Sequence, residues 1–154
     1  MYAVVRVRGD VNLSYDVRET LSLLHLGRVN HATFIPETDA YRGMIQKVAE
    51  VVAFGEPSPE TVALLLRQRG EAAEESTAID DEWVAENTDF ADVDALAEGL
   101  LAEEVTLKEA GIEPVLRLHP PRGGHDGIKS TRTDGGVLGV HDTDAIDDLL
   151  YTMR

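Results

Sequence analysis

Three short runs in the first 55 residues have the pattern of β-strands. Residues 2–8 alternate between two faces with a period of two, and Arg6 and Arg8 share one of these faces. The runs 32–35 and 51–54 are mostly apolar, and each is followed by a proline or glycine that ends strand pairing. We therefore expect three strands in this part of the chain.

Two amphipathic helices are predicted between these strands. Ser14 and Thr38 stand at positions typical of helix N-caps, each ahead of apolar residues spaced three and four apart. Gly27 is the expected end of the first helix, because glycine readily adopts the left-handed conformation that ends many helices. The predicted element order of residues 1–55 is β-α-β-α-β.

Residues 57–111 are predicted to be helical. Ser58 and Asp92 can cap helices whose apolar residues recur at helical spacing. Trp83 and Phe90 are expected to anchor the acidic, weakly patterned stretch between these helices. The segment is therefore predicted to be a folded helical unit and not a disordered tail.

The remaining residues predict a strand, a long loop and a final helix. Residues 115–118 are strand-like, and residues 119–139 contain two prolines and six glycines. Such a long loop is uncommon in a compact domain unless it is functional or disordered. We predict an α+β domain made from residues 1–56 and 112–154, interrupted by a helical insertion at 57–111.

The net charge of −15 does not by itself favour a nucleic-acid partner. The charge is unevenly distributed, however. Residues 1–55 have a net charge of 0, residues 56–116 of −14, residues 117–133 of +3 and residues 134–154 of −4. The first and third of these segments can therefore face an anion.

The composition is typical of proteins from salt-accumulating organisms. Acidic residues are abundant, and only three lysines stand beside eleven arginines. At 1 M salt the Debye length is only about 3 Å, so carboxylates repel one another weakly. An acidic protein from an ordinary cytoplasm is the alternative interpretation.

The glycine-rich segment is the first candidate for a nucleic-acid contact. Glycine lets a backbone approach phosphate closely, while arginine, lysine and hydroxyl groups donate hydrogen bonds to it. The candidate residues of this segment are Arg122, Gly123, Gly124, His125, Lys129, Ser130 and Arg132. A mobile surface connection is the alternative.

Basic and polar residues of the first module form the second candidate group. Polar donors near the ends of elements suit contacts to phosphates and 2′-hydroxyls. The candidates are Arg6, Arg8, Asn12, Arg18, Arg28, Asn30, His31, Arg42 and Lys47. Six cations among six anions are also the ordinary composition of a solvated surface, which is the alternative here.

The sequence predicts no catalytic residue, cofactor or metal site. It contains no cysteine, its five histidines lack metal-ligand spacing, and no hydrolase-nucleophile or nucleotide-phosphate motif is present. The first residues have no signal-peptide pattern, and no apolar run approaches the length of a membrane helix. We expect a soluble, cytoplasmic protein.

Three sequence runs resemble one known family. The runs LSLLHLGRVNH (21–31) and RGMIQKV (42–48) are similar to motifs of the large-ribosomal-subunit proteins numbered thirty, whose eukaryotic counterpart is numbered seven. The run PRGG (121–124) resembles the glycine-rich stretch near the C-terminus of archaeal and eukaryotic members. The long form with a helical middle points to the archaeal branch, and the acidity points to a halophilic member.

This resemblance implies a ferredoxin-like β-α-β-α-β module with a small antiparallel sheet. It also implies a non-catalytic structural protein that binds large-subunit ribosomal RNA, with other ribosomal proteins as neighbours. Family motif positions are occupied here by Arg28, Asn30, His31, Arg42, Lys47, Arg122, Gly123 and Gly124. Family members are usually strongly basic, and this chain departs from them in its net charge.

Two other functions are consistent with the residues alone. The β-α-β-α-β order also fits a ferredoxin-like module that binds a small regulatory molecule, because a fold does not fix a function. The glycine-rich segment leaves a nucleotide-dependent enzyme as a weaker alternative. Sedimentation of a cell extract separates the hypotheses, since only a ribosomal protein travels with the large subunit.

Overall fold

Strands and helices alternate through the first part of the chain in the predicted order. The computed structural model describes residues 1–125 and 127–154. The first elements are strand β1 (Tyr2–Arg6), helix α1 (Tyr15–Leu23), strand β2 (His31–Ile35), helix α2 (Asp39–Val48) and strand β3 (Val52–Gly55). Ser14 and Thr38 accept hydrogen bonds from backbone N–H groups of α1 and α2, so both predicted N-caps are confirmed.

The middle of the chain is helical, as predicted, in three pieces. These are α3 (Pro59–Arg69), α4 (Asp81–Asn87) and α5 (Val93–Leu101). Ser58 and Asp92 cap α3 and α5 as expected. Trp83 and Phe90 pack against the buried core, which confirms them as the anchors of this acidic stretch.

The last part of the chain contains more strand than the sequence predicts. Its elements are β4 (Leu116–Arg117), β5 (Gly127–Thr131), a short 3₁₀ helix (Arg132–Asp134), β6 (Gly136–His141) and α6 (Thr143–Met153). The prediction of one long loop over 119–139 is therefore wrong, because β5 and most of β6 lie within it. All of β5 is exposed, and β6 contains glycines, so neither strand has an apolar alternation that could reveal it.

Helix α1 ends before the glycine expected to end it. The left-handed residue is His25, with φ of 61°, and not Gly27. The N–H groups of His25 and Leu26 donate to the carbonyl oxygens of Ser22 and Leu21 at 3.1 and 2.8 Å. This is the Schellman pattern, in which the buried Leu26 packs back on the helix.

The six strands of the described residues belong to one sheet of order β4-β2-β1-β3-β6-β5. Strand β1 runs antiparallel to both β2 and β3, and β4 runs antiparallel to β2. Strand β6 extends the sheet in parallel with β3. The expected small antiparallel sheet is thus the centre of a larger mixed sheet, and the fold class is α+β.

Each face of the sheet buries a different set of side chains. Val4 and Phe54 pack with the apolar residues of α1 and α2. Ala3 and Val5 pack on the other face with residues of α3, α5 and α6. This division follows from the period of two in the strand residues, and it confirms the alternation expected in β1.

Residues 57–111 share one buried cluster with the sheet. Leu66 of α3 and Leu96 of α5 belong to the same cluster as Val5 of β1 and Ile146 of α6. The division of the chain into an α+β domain and an inserted helical unit stays a prediction. The longest helices of the described residues, α3 and α6, have 11 residues each, and none is long and apolar enough to cross a membrane.

Two glycines allow a matched test of packing. A Cβ at Gly55 would lie 2.6 Å from the backbone oxygen of His141, whereas a Cβ at Gly43 meets nothing within 4 Å. Gly55→Ala must push β3 from β6 and should cost about 1–3 kcal/mol of unfolding free energy. Gly43→Ala, in the exposed face of α2, should stabilise by about 1 kcal/mol through helix propensity. Thermal unfolding in molar KCl measures both, and equal melting temperatures would contradict the packing of β3 on β6.

The acidic segment generates a second prediction. Residues 56–116 carry a net charge of −14, so their repulsion should fall as the Debye length shrinks from about 10 Å at 0.1 M to about 3 Å at 1 M salt. The melting temperature should therefore rise between these KCl concentrations. Glu74→Gln with Glu75→Gln, both exposed, should reduce that rise. A melting temperature independent of KCl would refute the electrostatic explanation.

Candidate nucleic-acid interface

The strand directions bring most of the candidate cations to one end of the sheet. Because β2 and β3 run against β1, and β4 runs against β2, the C-terminal ends of β1 and β4 lie beside the N-terminal ends of β2 and β3. We call this the basic end. It comprises Arg8, Arg18, Arg28, His31, Lys47, Arg117 and Arg122.

His31 lies at the centre of this group. It pairs in register with Arg117 across β2 and β4. Burial, followed by the charges of Arg117, Arg28 and Arg6, lowers the pKa of His31 below its usual value. His31 is therefore neutral at pH 7, and it offers a ring nitrogen among cations instead of another positive charge.

Arg6, one of the predicted RNA contacts, is buried and bonded within the protein. It is only 2% exposed. Its guanidinium donates to the carbonyl oxygens of Arg8 at 2.9 Å and Leu26 at 3.1 Å, and it pairs with the Asp10 carboxylate. The pairing with Arg6 lowers the pKa of Asp10. Arg6 therefore ties the end of α1 to β1 and is withdrawn from the surface.

The backbone conformation of Asn12 and Asn30 explains why asparagine suits both positions. Both adopt positive φ, at 59° and 70°, where asparagine is tolerated better than most residues. The N–H of Asn30 donates to the Arg6 oxygen at 2.8 Å, and its own oxygen accepts from the N–H of Leu118 at 3.1 Å. Asn30 thus fixes the approach of β4 to β2, and its place in the sequence motif does not require a partner.

Arg8, which is half-buried, and Arg18, which is exposed, are held by backbone oxygens. Arg8 donates to the oxygen of Glu50 at 3.3 Å, and Arg18 donates to that of Asp10 at 3.2 Å. Lys47, near the end of α2, lines a small concavity together with Asn12. These contacts orient the cations at the surface without neutralising them.

Arg42 lies at the other end of the sheet. It pairs with Asp39 at 3.2 Å and lies 3.9 Å from Glu37, near the start of β1. Arg42 therefore lies apart from the other cations of the candidate group, and its role as an RNA contact stays a prediction. Arg42 stands in the first half of α2 and Lys47 in its last turn, which places the two charges toward opposite ends of one helix.

The start of the glycine-rich segment folds over the C-terminus of α6. The N–H groups of His119 and Arg122 donate to the oxygens of Met153 at 2.8 Å and Thr152 at 3.1 Å. Gly123 and Gly124 follow with φ of 83° and 80°, a conformation that favours glycine. Arg122 is thereby held at the basic end, close to the C-terminus of β4.

Several residues of the segment line an open groove. Its volume is about 560 Å³, and Arg122, His125 and Arg132 line it together with one side of α6. Arg132 also lies 4.0 Å from Asp142. Lys129 and Ser130 are exposed on β5. The structure thus divides the predicted residues of this segment between the basic end and the groove.

Two residues of these surfaces are absent from the sequence-based candidates. Arg117 is placed by its pairing with His31, which depends on a strand of two residues. His141 lies at the end of β6 and lines the groove. The basic segment 117–133 was a signal for Arg117, but the sequence held no signal for strand register. Among residues 1–125 and 127–154, no group of three His, Asp or Glu side chains could hold a metal ion.

Comparisons with known proteins agree on one family. The family model described as "Ribosomal protein L30p/L7e" matches residues 2–52. The "large ribosomal subunit protein uL30" of Natronomonas pharaonis is 60% identical, and that of Haloarcula marismortui is 56% identical, each over 100% of both chains. The protein of the same name from Methanosphaera stadtmanae is 42% identical over 99% of both chains.

One buried histidine, His141, and one partly buried histidine, His31, predict how stability depends on pH. Burial is the largest cause that lowers the pKa of both His31 and His141. The unfolded chain, with histidine pKa values of about 6.5, therefore binds protons before the folded chain does. Unfolding free energy should be fully retained above pH 7 and should fall as the pH drops below about 6.5.

Denaturant unfolding between pH 7.5 and 6.0 in constant molar KCl measures this effect. His141→Gln should remove part of the slope. His119→Gln, at an exposed position, should leave it unchanged. A stability that stays constant or rises on acidification would contradict the assignment.

Proposed function

Because the chain belongs to the uL30 family of large-ribosomal-subunit proteins, we propose that its basic end is the surface that binds large-subunit ribosomal RNA. The protein is a structural constituent of the large subunit of the cytoplasmic ribosome and not an enzyme. Other proteins of the subunit are its expected neighbours.

The observation that carries this proposal is the pairing of β2 with β4. It sets Arg117 beside His31, and the charge of Arg28 also acts on that histidine. Arg8, Arg18, Lys47 and Arg122 extend the cationic surface from there. An end of the sheet with these charges attracts phosphates even though the whole chain carries −15.

The proposed mechanism is positional. Arginine contacts phosphate through a planar fork of donors, so it retains directional hydrogen bonds where molar salt weakens the release of counterions. His31, which is neutral, can exchange hydrogen bonds with a 2′-hydroxyl or a base edge. Shape and hydrogen bonds would thus carry a larger share of binding than charge does.

The glycine-rich segment is proposed as a second part of the same surface. Gly123 and Gly124 have no side chain to hold RNA away, and a Cβ at either would meet nothing within 4 Å of the protein. Lys129 and Ser130 lie exposed on β5 and offer donors to a backbone phosphate. The phosphate oxygens that accept hydrogen bonds from Lys129 and Ser130 would therefore belong to RNA and not to this chain.

We further propose that residues 57–111 are an addition to an α+β domain formed by residues 1–56 and 112–154. The family model ends at residue 52, shortly before α3, and the charge changes sharply from that point. Because the added helices share the core of the sheet, we expect them to fold together with it. The added helices would pack over one face of the sheet and would not form a separable domain.

Substitutions at the pairing of β2 with β4 test the RNA surface. Arg28→Ala with Arg117→Ala should weaken binding to large-subunit ribosomal RNA and lower the salt slope by about one for each phosphate that the variant no longer neutralises. Arg67→Ala is the matched control, because Arg67 is similarly exposed but lies 3.2 Å from two carboxylates, those of Asp81 and Asp94, whereas Arg117 lies 3.6 Å from one, that of Glu71. Filter binding across KCl concentrations measures both quantities.

The glycine-rich segment is tested separately with assembled particles. Arg122→Ala with Arg132→Ala should loosen the protein from large subunits during salt washing, because both side chains are exposed cations of this segment. Unchanged retention would exclude the segment from the interface. If the variant with Arg28→Ala and Arg117→Ala binds ribosomal RNA with unchanged affinity, the basic end is excluded from the interface.

A further inference from the structure

The exposed apolar side chains of this protein are unevenly distributed. Among the described residues, the exposed large apolar side chains lie outside the acidic segment 56–116. Three of them stand close to the basic end: Val11 in the loop after β1, Tyr15 at the start of α1 and Val29 in the loop before β2. The two loops approach each other, since a Cβ at Gly9 would lie 4.0 Å from Cγ2 of Val29. Apolar surface is therefore exposed where the cations gather.

Tyr15 is the most exposed of these side chains, at 78%. Its neighbours Leu13 and Val17 pack on the apolar cluster under α1 and α2, but Tyr15 packs on neither buried cluster of the described residues. Tyrosine is also a weaker helix former than alanine or leucine, so helix propensity does not favour it here. Single exposed apolar residues are ordinary, and the surroundings of the ring decide whether it has a role.

Two exposed cations flank the start of α1. Arg18 lies one turn along the helix, on the same side as Tyr15. Lys47 lines a concavity of about 200 Å³ together with Ser14, the residue before Tyr15. The ring therefore lies between a cation on its own helix and a cation at the end of α2.

Nearby carboxylates indicate which part of a nucleic acid can lie on the ring. Asp16 and Glu19 are exposed on α1, and Glu50 lines the concavity beside Lys47. Their charges repel a phosphate placed directly over the start of α1, whereas the face of a base carries no net charge to be repelled. The ring is therefore suited to a base, and the cations on either side of it are suited to the backbone.

Stacking on an aromatic ring requires a base whose face is free. Bases of a duplex are covered by their neighbours, so proteins stack aromatic side chains on unpaired bases. Every base has a π-face, and such a contact is tolerant of sequence. Molar salt screens attraction between exposed charges but does not screen stacking in this way. A salt-adapted RNA-binding surface therefore gains from an aromatic contact among its cations.

We propose that Tyr15 stacks on one unpaired base of large-subunit ribosomal RNA, and that the backbone of the same strand runs past Arg18 and Lys47. The inference rests on the proposed function and adds to the basic end a contact that does not depend on charge. The other occupant that an exposed ring admits is a side chain of a neighbouring protein, and the experiment below distinguishes the two.

Binding of the full-length chain to protein-free large-subunit ribosomal RNA tests this inference. Filter binding is measured across a range of KCl concentrations. Tyr15→Ala should raise the Kd about 5- to 100-fold, the range expected for the loss of one stacked base. The slope of log affinity against log KCl concentration should stay unchanged, because the variant loses no phosphate contact.

Two further variants isolate the contribution of the ring. Tyr15→Phe keeps the ring without its hydroxyl group and should bind within about twofold of the wild-type protein. Val140→Ala is the control for the loss of an exposed apolar side chain and should bind like the wild-type protein. Val140 is 64% exposed and pairs with Phe54 toward the C-terminal end of β3, whereas the basic end lies at the N-terminal end of that strand. Because Tyr15 and Val140 are both exposed, these substitutions leave the core intact.

The outcomes separate this inference from the proposed function. A loss below about twofold in Tyr15→Ala, an equal loss in Tyr15→Phe or a changed salt slope would overturn the stacking contact, even if Arg28→Ala with Arg117→Ala still weakens binding. Weaker retention of Tyr15→Ala in assembled subunits alone would also overturn it, since Tyr15 would then face a protein neighbour. Failure of the wild-type protein to bind the RNA would overturn both. A loss in Tyr15→Ala at an unchanged salt slope, with binding retained in Tyr15→Phe, is the result that supports the inference.

Discussion

The fold depends on the burial of both faces of the sheet at strand β1. Val4 and Val5 are neighbours in sequence and point to opposite faces, yet both are fully buried. A sheet buried on both sides needs a layer of helix against each face. Helices α1 and α2 form one layer, while α3, α5 and α6 form the other. The acidic segment is therefore required as cover for the sheet, and its charge is a property of the outer side of that layer.

This arrangement explains how an acidic chain can present a basic surface. Once both faces are covered, the ends of the strands remain the accessible parts of the central sheet. One end gathers Arg8, Arg28 and Arg117, whereas the other end holds Glu37 and Asp39 beside Arg42. Most of the candidate cations gather at the first end, although Glu71 lies 3.6 Å from Arg117 and Asp10 pairs with Arg6 there, and this grouping does not depend on the net charge. Relatives from halophilic archaea at 51–60% identity are consistent with an acidic exterior adapted to salt.

Local signals in the sequence predicted local structure well. The caps at Ser14, Thr38, Ser58 and Asp92, and the alternation in β1, are confirmed because each depends on residues a few positions apart. Strands β5 and β6 could not be predicted, since an exposed strand and a glycine-rich strand have no alternation to detect. Gly27 was a reasonable helix stop, but His25 reaches the left-handed conformation first because Leu26 is drawn into the core.

The candidate site was harder to predict because the type of a residue does not reveal whether the residue serves folding or binding. Arg6 and Arg8 stand on the same face of the alternating pattern, but only Arg6 finds buried acceptors, and one of them, the Leu26 oxygen, lies 20 residues away in the sequence. Asn30, at a motif position, adopts a left-handed backbone conformation that asparagine tolerates better than most residues. Arg117 gains its place from strand register alone. A motif therefore combines constraints from folding with constraints from binding, and the hydrogen bonds of each side chain decide which constraint applies at each position.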